Sequence, residues 1–108
     1  MKIGIILNTS EPETVWNCFR LGNEALKNSH SVKVFLLGKG VEAETVNDAK
    51  FPYIEGTIKK FVKNNGAILA CGTCLQIRNK DASSICPVST MADMLKIVEE
   101  SDKVLTFG

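Results

Sequence analysis

Asn65-Gly-Ala-Ile-Leu-Ala-Cys-Gly-Thr-Cys-Leu-Gln-Ile-Arg78 sets the reading of the whole chain. Ala67 to Ala70 is a short apolar run after the breaker Asn64-Asn65-Gly66, the pattern of a strand buried on both faces. Cys71 stands at the carboxyl end of that strand. Gly72 supplies a turn, Thr73 a side chain able to cap, and Leu75 to Arg78 are reasonable helix formers, so Cys71 is expected to face the amino end of a short helix. Unpaired N–H groups and the positive end of the helix dipole favour a thiolate there. A free thiol that titrates near about 8.5 titrates lower in such a place. Cys74 follows at Cys-x-x-Cys spacing. Across a first helical turn two such sulfurs can approach each other, which suits disulfide exchange, persulfide handling or two of a metal ion's ligands.

Upstream, Ile54, Ile58, Phe61 and Val62 form one apolar helix face, introduced by Phe51-Pro52 and ended by Asn64-Asn65-Gly66. Val41 to Lys50 is rich in Glu, Asp and Asn and reads as a short helix plus an exposed loop rather than core, placed to cover the site or meet a partner. Val32 to Leu37 is a strand broken by Gly38-Lys39-Gly40, and Ile3 to Leu7 is a β-branched strand apolar on both faces. Between those strands, Ser10-Glu11-Pro12-Glu13 has capping-box spacing with Ser10 as N-cap, and Val15, Phe19, Gly22 and Leu26 recur at helical spacing. Cys18 lies beside that stripe and reads as a packed core thiol.

Downstream, Asn79 to Ser84 is loop, and Pro87 confines Ile85-Cys86-Pro87-Val88 to an edge strand at best. Thr90 caps a last helix with Asp93, and Met91, Met94, Leu95 and Val98 form its expected buried stripe, with the methionines as core. Lys103 to Phe107 is the final strand. This alternation predicts a single α/β domain over residues 1–108. Its expected form is a three-layer, open, mostly parallel sheet with helices on both faces. Three loops then gather at the carboxyl ends of the strands: Asn8-Thr9-Ser10, Gly38-Lys39-Gly40, and Cys71 to Cys74. Cys71 and Cys74 are the candidate chemistry there, with Asn8, Thr9, Gly72, Thr73 and Arg78 as candidate substrate contacts.

Thirteen Lys and Arg against twelve Asp and Glu leave a formal charge of +1, which recruits neither nucleic acid nor an anionic membrane. Lys59, Lys60 and Lys63 form the one local basic cluster and read as a solvated helix face without a function. The run Ile3 to Leu7 is too short for a signal peptide or a membrane span, so a cytoplasmic protein is expected. Four cysteines in a chain 44% hydrophobic do not describe a disulfide-stapled secreted scaffold. At 108 residues the core is modest, and self-association would add to its burial. No nucleotide site is expected, because Asn8-Thr9-Ser10-Glu11 lacks a glycine and Glu11 would repel phosphate.

Over nearly its whole length the chain resembles the DsrE-like family (DsrE, DsrF and TusD-type proteins), small α/β proteins of intracellular sulfur transfer. The resemblance is carried by Lys2-Ile-Gly-Ile-Ile-Leu-Asn8, Ala70-Cys-Gly-Thr-Cys-Leu-Gln-Ile-Arg78, Ser89-Thr-Met-Ala-Asp93 and Ser101-Asp-Lys-Val-Leu-Thr-Phe-Gly108. It implies that Cys71 is a relay thiol followed by a short helix ending near Arg78. It also implies homotrimers or hexamers with cysteine sites near subunit contacts, and sulfur donor and acceptor proteins as partners. Cys74 departs from the relay pattern, since relay members commonly place a small apolar residue there. A thiol at that position can attack the inner sulfur of a Cys71 persulfide and release sulfide.

The leading expectation is therefore a persulfide carrier without a cofactor, with Cys71 accepting sulfur and Cys74 resolving. A soft-metal or structural site of Cys71, Cys74 and Cys86 is the first alternative, although it lacks a fourth ligand and His30 lies at a distant helix exit. A dithiol oxidoreductase is the second. Strands and helices preceding the motif, and Pro87 following too soon, weigh against a thioredoxin arrangement.

Overall fold

Ile3 to Leu7 lies within strand β1 (Lys2–Leu7), and the computed structural model, which describes every residue from 1 to 108, builds outward from it. With β2 (Ser31–Leu36), β3 (Ala67–Cys71), β4 (Val88–Ser89) and β5 (Lys103–Phe107) it forms one five-stranded sheet of order β4-β3-β2-β1-β5. Every pairing is parallel: Ile5 stands opposite Val34 on one side and Leu105 on the other, and Leu36 stands opposite Ala70. Parallel neighbours require crossovers. The steps from β1 through β4 run in one direction across the sheet, whereas β4 to β5 returns past β1. Right-handed crossovers therefore put α1 (Pro12–Lys27), α2 (Ile54–Lys63) and α3 (Gly72–Ile77) on one face and α4 (Met91–Glu100) on the other. The expected α/β sheet with helices on both faces is what the chain forms.

The core lies mainly under α1 and α2. Ile5, Leu7, Val34 and Leu36 from the sheet and Val15, Cys18, Phe19 and Phe61 from the helices are buried almost completely. Phe19 meets Phe61 edge to face with ring centroids 5.4 Å apart, which ties α1 to α2. Cys18 sits inside this packing, where burial pushes its thiol up to about 12.

Some elements depart from expectation. The first helix is capped by Glu11, not Ser10: its carboxylate accepts from the N–H groups of Glu13 at 3.3 Å and Thr14 at 2.8 Å. Pro12 decides this, because proline suits the first helical position and holds the preceding residue extended. The segment after β2 is a 3-10 helix, Gly38–Thr45, in which Gly40, Val41 and Ala43 are buried, so part of the stretch expected to be exposed belongs to the core. Gly40 makes this possible, since a Cβ there would overlap the carbonyl oxygen of Leu7. On α4, the Thr90–Asp93 capping box forms as read, but the expected buried stripe does not: Met91 and Leu95 are 58% and 57% exposed, Val98 is also exposed, and only Ile97 is buried. α4 has no neighbouring helix on its face of the sheet, so residues that would pack against one are left outside.

Phe61→Ala removes the ring that joins the two helices and is expected to cost about 3–5 kcal/mol of stability. Urea denaturation at fixed protein concentration checks this. A loss below about 1 kcal/mol, the range of surface substitutions, would show that the helix pair does not depend on that ring.

Candidate functional site

β3 runs into α3 without an intervening loop, so Cys71 is both the last strand residue and the N-cap of α3. It is only 3% exposed. Cys74, one turn along, is partly exposed and packs against the core. The Cys74 thiol lies near enough to bear on the ionisation of Cys71. Burial pushes the Cys71 thiol above its ordinary value. The N–H groups of Cys74 and Thr73 at the helix start pull it down, and the Cys74 sulfur adds to the rise. The expected thiolate-favouring amides are therefore present, but desolvation outweighs them, and the expectation of a lowered Cys71 pKa is corrected. Thr73 is exposed and is not the N-cap, because the helix already begins at Gly72 with Cys71 as its N-cap.

Cys74 has a partner that residue spacing could not supply. The N–H of Gly38 donates to its Sγ at 3.3 Å. Gly38 holds φ at 54°, a left-handed value suited to glycine, and a Cβ at that position would strike Oδ1 of Asn8. Asn8 is itself fixed by its N–H, which donates to the Phe107 carbonyl at 2.8 Å. The segments leaving the carboxyl ends of β1, β2 and β3 thus converge through Asn8, Gly38 and Cys74. The Gly38 amide is the component missed in sequence, and the glycine closing β2 was its only signal.

The other candidates are placed around this contact rather than in it. Thr9 is turned toward α1, its Oγ1 accepting from the Glu11 N–H at 3.1 Å, and its side chain lies beside Gly108. Gly72 seats α3 against β4, where an added Cβ would lie 3.0 Å from Val88. Arg78 ends α3, and its Nη1 donates to the Cys74 carbonyl at 3.2 Å, bracing the helix that carries the thiol.

Cys86 is buried in the same core as Cys71, but its hydrogen bonds run elsewhere. Its N–H donates to Ser83 Oγ at 3.1 Å, and Ser83 Oγ donates to a Glu44 carboxylate oxygen at 2.7 Å. Burial, followed by the Glu44 charge, pushes the Cys86 thiol up to about 12. No group of three or more His, Cys, Asp or Glu residues comes together to hold a metal ion. The alternative ligand set of Cys71, Cys74 and Cys86 is therefore not assembled, because the Cys86 loop directs its contacts to the 3-10 helix. His30 accepts from the N-terminal amine through Nδ1 at 2.8 Å.

The DsrE/DsrF-like family profile matches residues 1–107. The chain belongs to this family. DsrE-like proteins are generally associated with sulfur relay carried out with partner proteins. The chain is 29% identical over 115 residues to the uncharacterized protein MJ0989 of Methanocaldococcus jannaschii, with 99% of this chain and all of that protein covered. Among solved structures it is similar to the YchN protein from E. coli, with a TM-score of 0.87, 22% identity and 99% of each chain covered. A conserved protein of unknown function from Bacteroides thetaiotaomicron, BT1422, has a TM-score of 0.71 and 18% identity, with 97% of this chain and 93% of that one covered. At such identities the two structures show a shared DsrE-like fold. No helix is long and apolar enough to cross a membrane.

Exposure orders the thiols. Limited alkylation at neutral pH followed by peptide mapping is expected to label Cys74 first, with Cys18, Cys71 and Cys86 protected by burial. Labelling of any of those three ahead of Cys74 would overturn the order.

Proposed function

We propose that this DsrE-like chain carries sulfane sulfur on a two-thiol site in which Cys74 meets the donor and Cys71 stands behind it. One observation carries the reading: Cys74 is the partly exposed residue of the pair, its sulfur has the Gly38 N–H aimed at it, and the neighbouring Cys71 is buried. The sequence favoured Cys71 as acceptor, and burial is the reason for the exchange of roles. The family's general association with sulfur relay supports the choice of sulfur as cargo.

In the first step the Cys74 thiolate attacks the outer sulfur of a donor persulfide. The donor S–S bond breaks, the donor leaves as a thiolate, and Cys74 holds the persulfide. An acceptor protein's thiolate then attacks that outer sulfur, leaving with a persulfide and restoring the Cys74 thiolate, with no net redox change. The Gly38 N–H supports charge on the Cys74 sulfur as this bond breaks. In the competing branch the Cys71 thiolate attacks the inner sulfur, which forms a Cys71–Cys74 disulfide and expels hydrosulfide. A thiol reductant must then return the pair to its reduced form. Such a site suits a reducing, cytoplasmic setting.

The proposal includes a homo-oligomer, a trimer or hexamer. Met91, Leu95 and Val98 of α4 are exposed, and Val104 of β5, opposite Gly4 on the same face, is exposed with them. An apolar surface of this kind is a self-association face.

Exposure to a small-molecule persulfide, followed by intact-mass measurement and sulfide detection, tests the thiol roles. Cys74→Ser is expected to reduce loading at least about tenfold, and Cys71→Ser to hold the added sulfur about tenfold longer than wild type, since it removes an intramolecular attacker. Because the Cys71 pKa is raised, sulfide release by wild type is expected to accelerate as pH rises beyond the ordinary thiol range. Loading that survives in Cys74→Ser and fails in Cys71→Ser would reverse the roles, and oxidation without added sulfur or sulfide would favour dithiol redox.

Light scattering is expected to return three or six times the 11.8 kDa chain mass. Leu95→Glu with Val98→Glu is expected to lower it to the monomer. A wild-type monomer at micromolar concentration would remove the oligomer.

A further inference from the structure

The outer sides of α1 and α2 enclose an open groove of about 1010 Å³ that the cysteine chemistry does not use. Lys60 and Lys63 of α2 form one wall, and the fold brings Arg20 and Lys27 of α1 to the other. Glu24 is the only carboxylate lining it, so a local charge of +3 sits in a chain whose net charge is +1. Glu24 is occupied by Asn28, whose Nδ2 donates to its carboxylate at 3.0 Å. The chain's one ion pair, Lys59 with Glu55 at 2.8 Å, involves none of the four groove cations.

We infer that this groove is a docking surface for an acidic segment of a partner polypeptide. Charge complementarity favours an anionic occupant, and two further observations favour protein over nucleic acid. Trp16 is not free to stack on a base, because the Arg20 guanidinium lies 4.4 Å from its ring centroid and the Phe51 ring packs against it at 5.6 Å. Tyr53, 70% exposed at the groove's end, adds an amphipathic contact suited to a protein interface.

The test uses the full chain and a fluorescein-labelled decaglutamate peptide, with ten-nucleotide oligothymidylate for comparison. Saturable binding of decaglutamate is expected, with amide shifts confined to α1 and α2 and affinity that falls as salt is raised. Lys60→Glu with Lys63→Glu is expected to weaken binding at least about tenfold, and Arg20→Ala with Lys27→Ala to weaken it in the same direction. Both variants should retain the wild-type circular dichroism and persulfide loading, so failure here is distinguishable from failure of the sulfur chemistry. If one variant misfolds, the other decides. No saturable binding, shifts outside the groove, or tighter binding of oligothymidylate at these residues would overturn the inference. A change in oligomer mass in either variant would also overturn it, by assigning the groove to a second copy of the chain.

Discussion

The N–H of Leu37 donates to the carbonyl of Leu7 at 2.9 Å, continuing the β1–β2 ladder, and the geometry of the thiol site hangs from that contact. One residue later Gly38 takes a left-handed φ and turns the chain, and Gly40 then lies against the same Leu7 carbonyl, where a side chain would not fit. The 3-10 helix is thereby held over the carboxyl ends of the strands. Parallel pairing of β2 with β3 brings α3 to the same edge, and the Gly38 N–H reaches the Cys74 sulfur. A shift of the β2–β3 register by one residue would move the rise of one residue, about 3.3 Å, into that contact, which is more than a hydrogen bond tolerates.

At Cys71 two opposing influences act on one sulfur. Helix-start amides favour the anion, and burial beside Ala70, Leu75 and the rest of the core disfavours it. Burial wins because amides at the first turn of a six-residue helix do not replace the water that the core excludes. The pair is thus unequal: Cys74 is partly exposed and its sulfur accepts a backbone N–H, whereas Cys71 is buried with its thiol pushed above its ordinary value.

The two sides of the sheet are finished differently. α1 and α2 pack against each other through Phe19 and Phe61 and turn a polar, basic exterior outward. α4 stands without a helical neighbour and turns Met91 and Leu95 outward. Surfaces so unlike fit the two different occupants proposed for them, a second copy at the apolar one and an acidic partner at the charged one.

Strand identity, the βαβ alternation, the edge character of the Pro87 segment and the Thr90 cap were legible in the sequence, because each rests on local periodicity or on the backbone limits of proline and capping residues. The gathering of the Asn8, Gly38 and Cys71–Cys74 loops at one edge was legible too, since parallel strands leave no other place for them. Local pattern determined no more than that. Whether Cys71 is open or sealed, whether Val41 is loop or core, and whether Met91 and Leu95 face inward depend on which elements lie alongside in space. Arg20 and Lys63 are far apart in the chain, and they line one groove only because α1 and α2 pack together through Phe19 and Phe61. The tertiary structure decided these points because desolvation and charge proximity are set by neighbours in space, whereas strand and helix formation is set largely by neighbours along the chain.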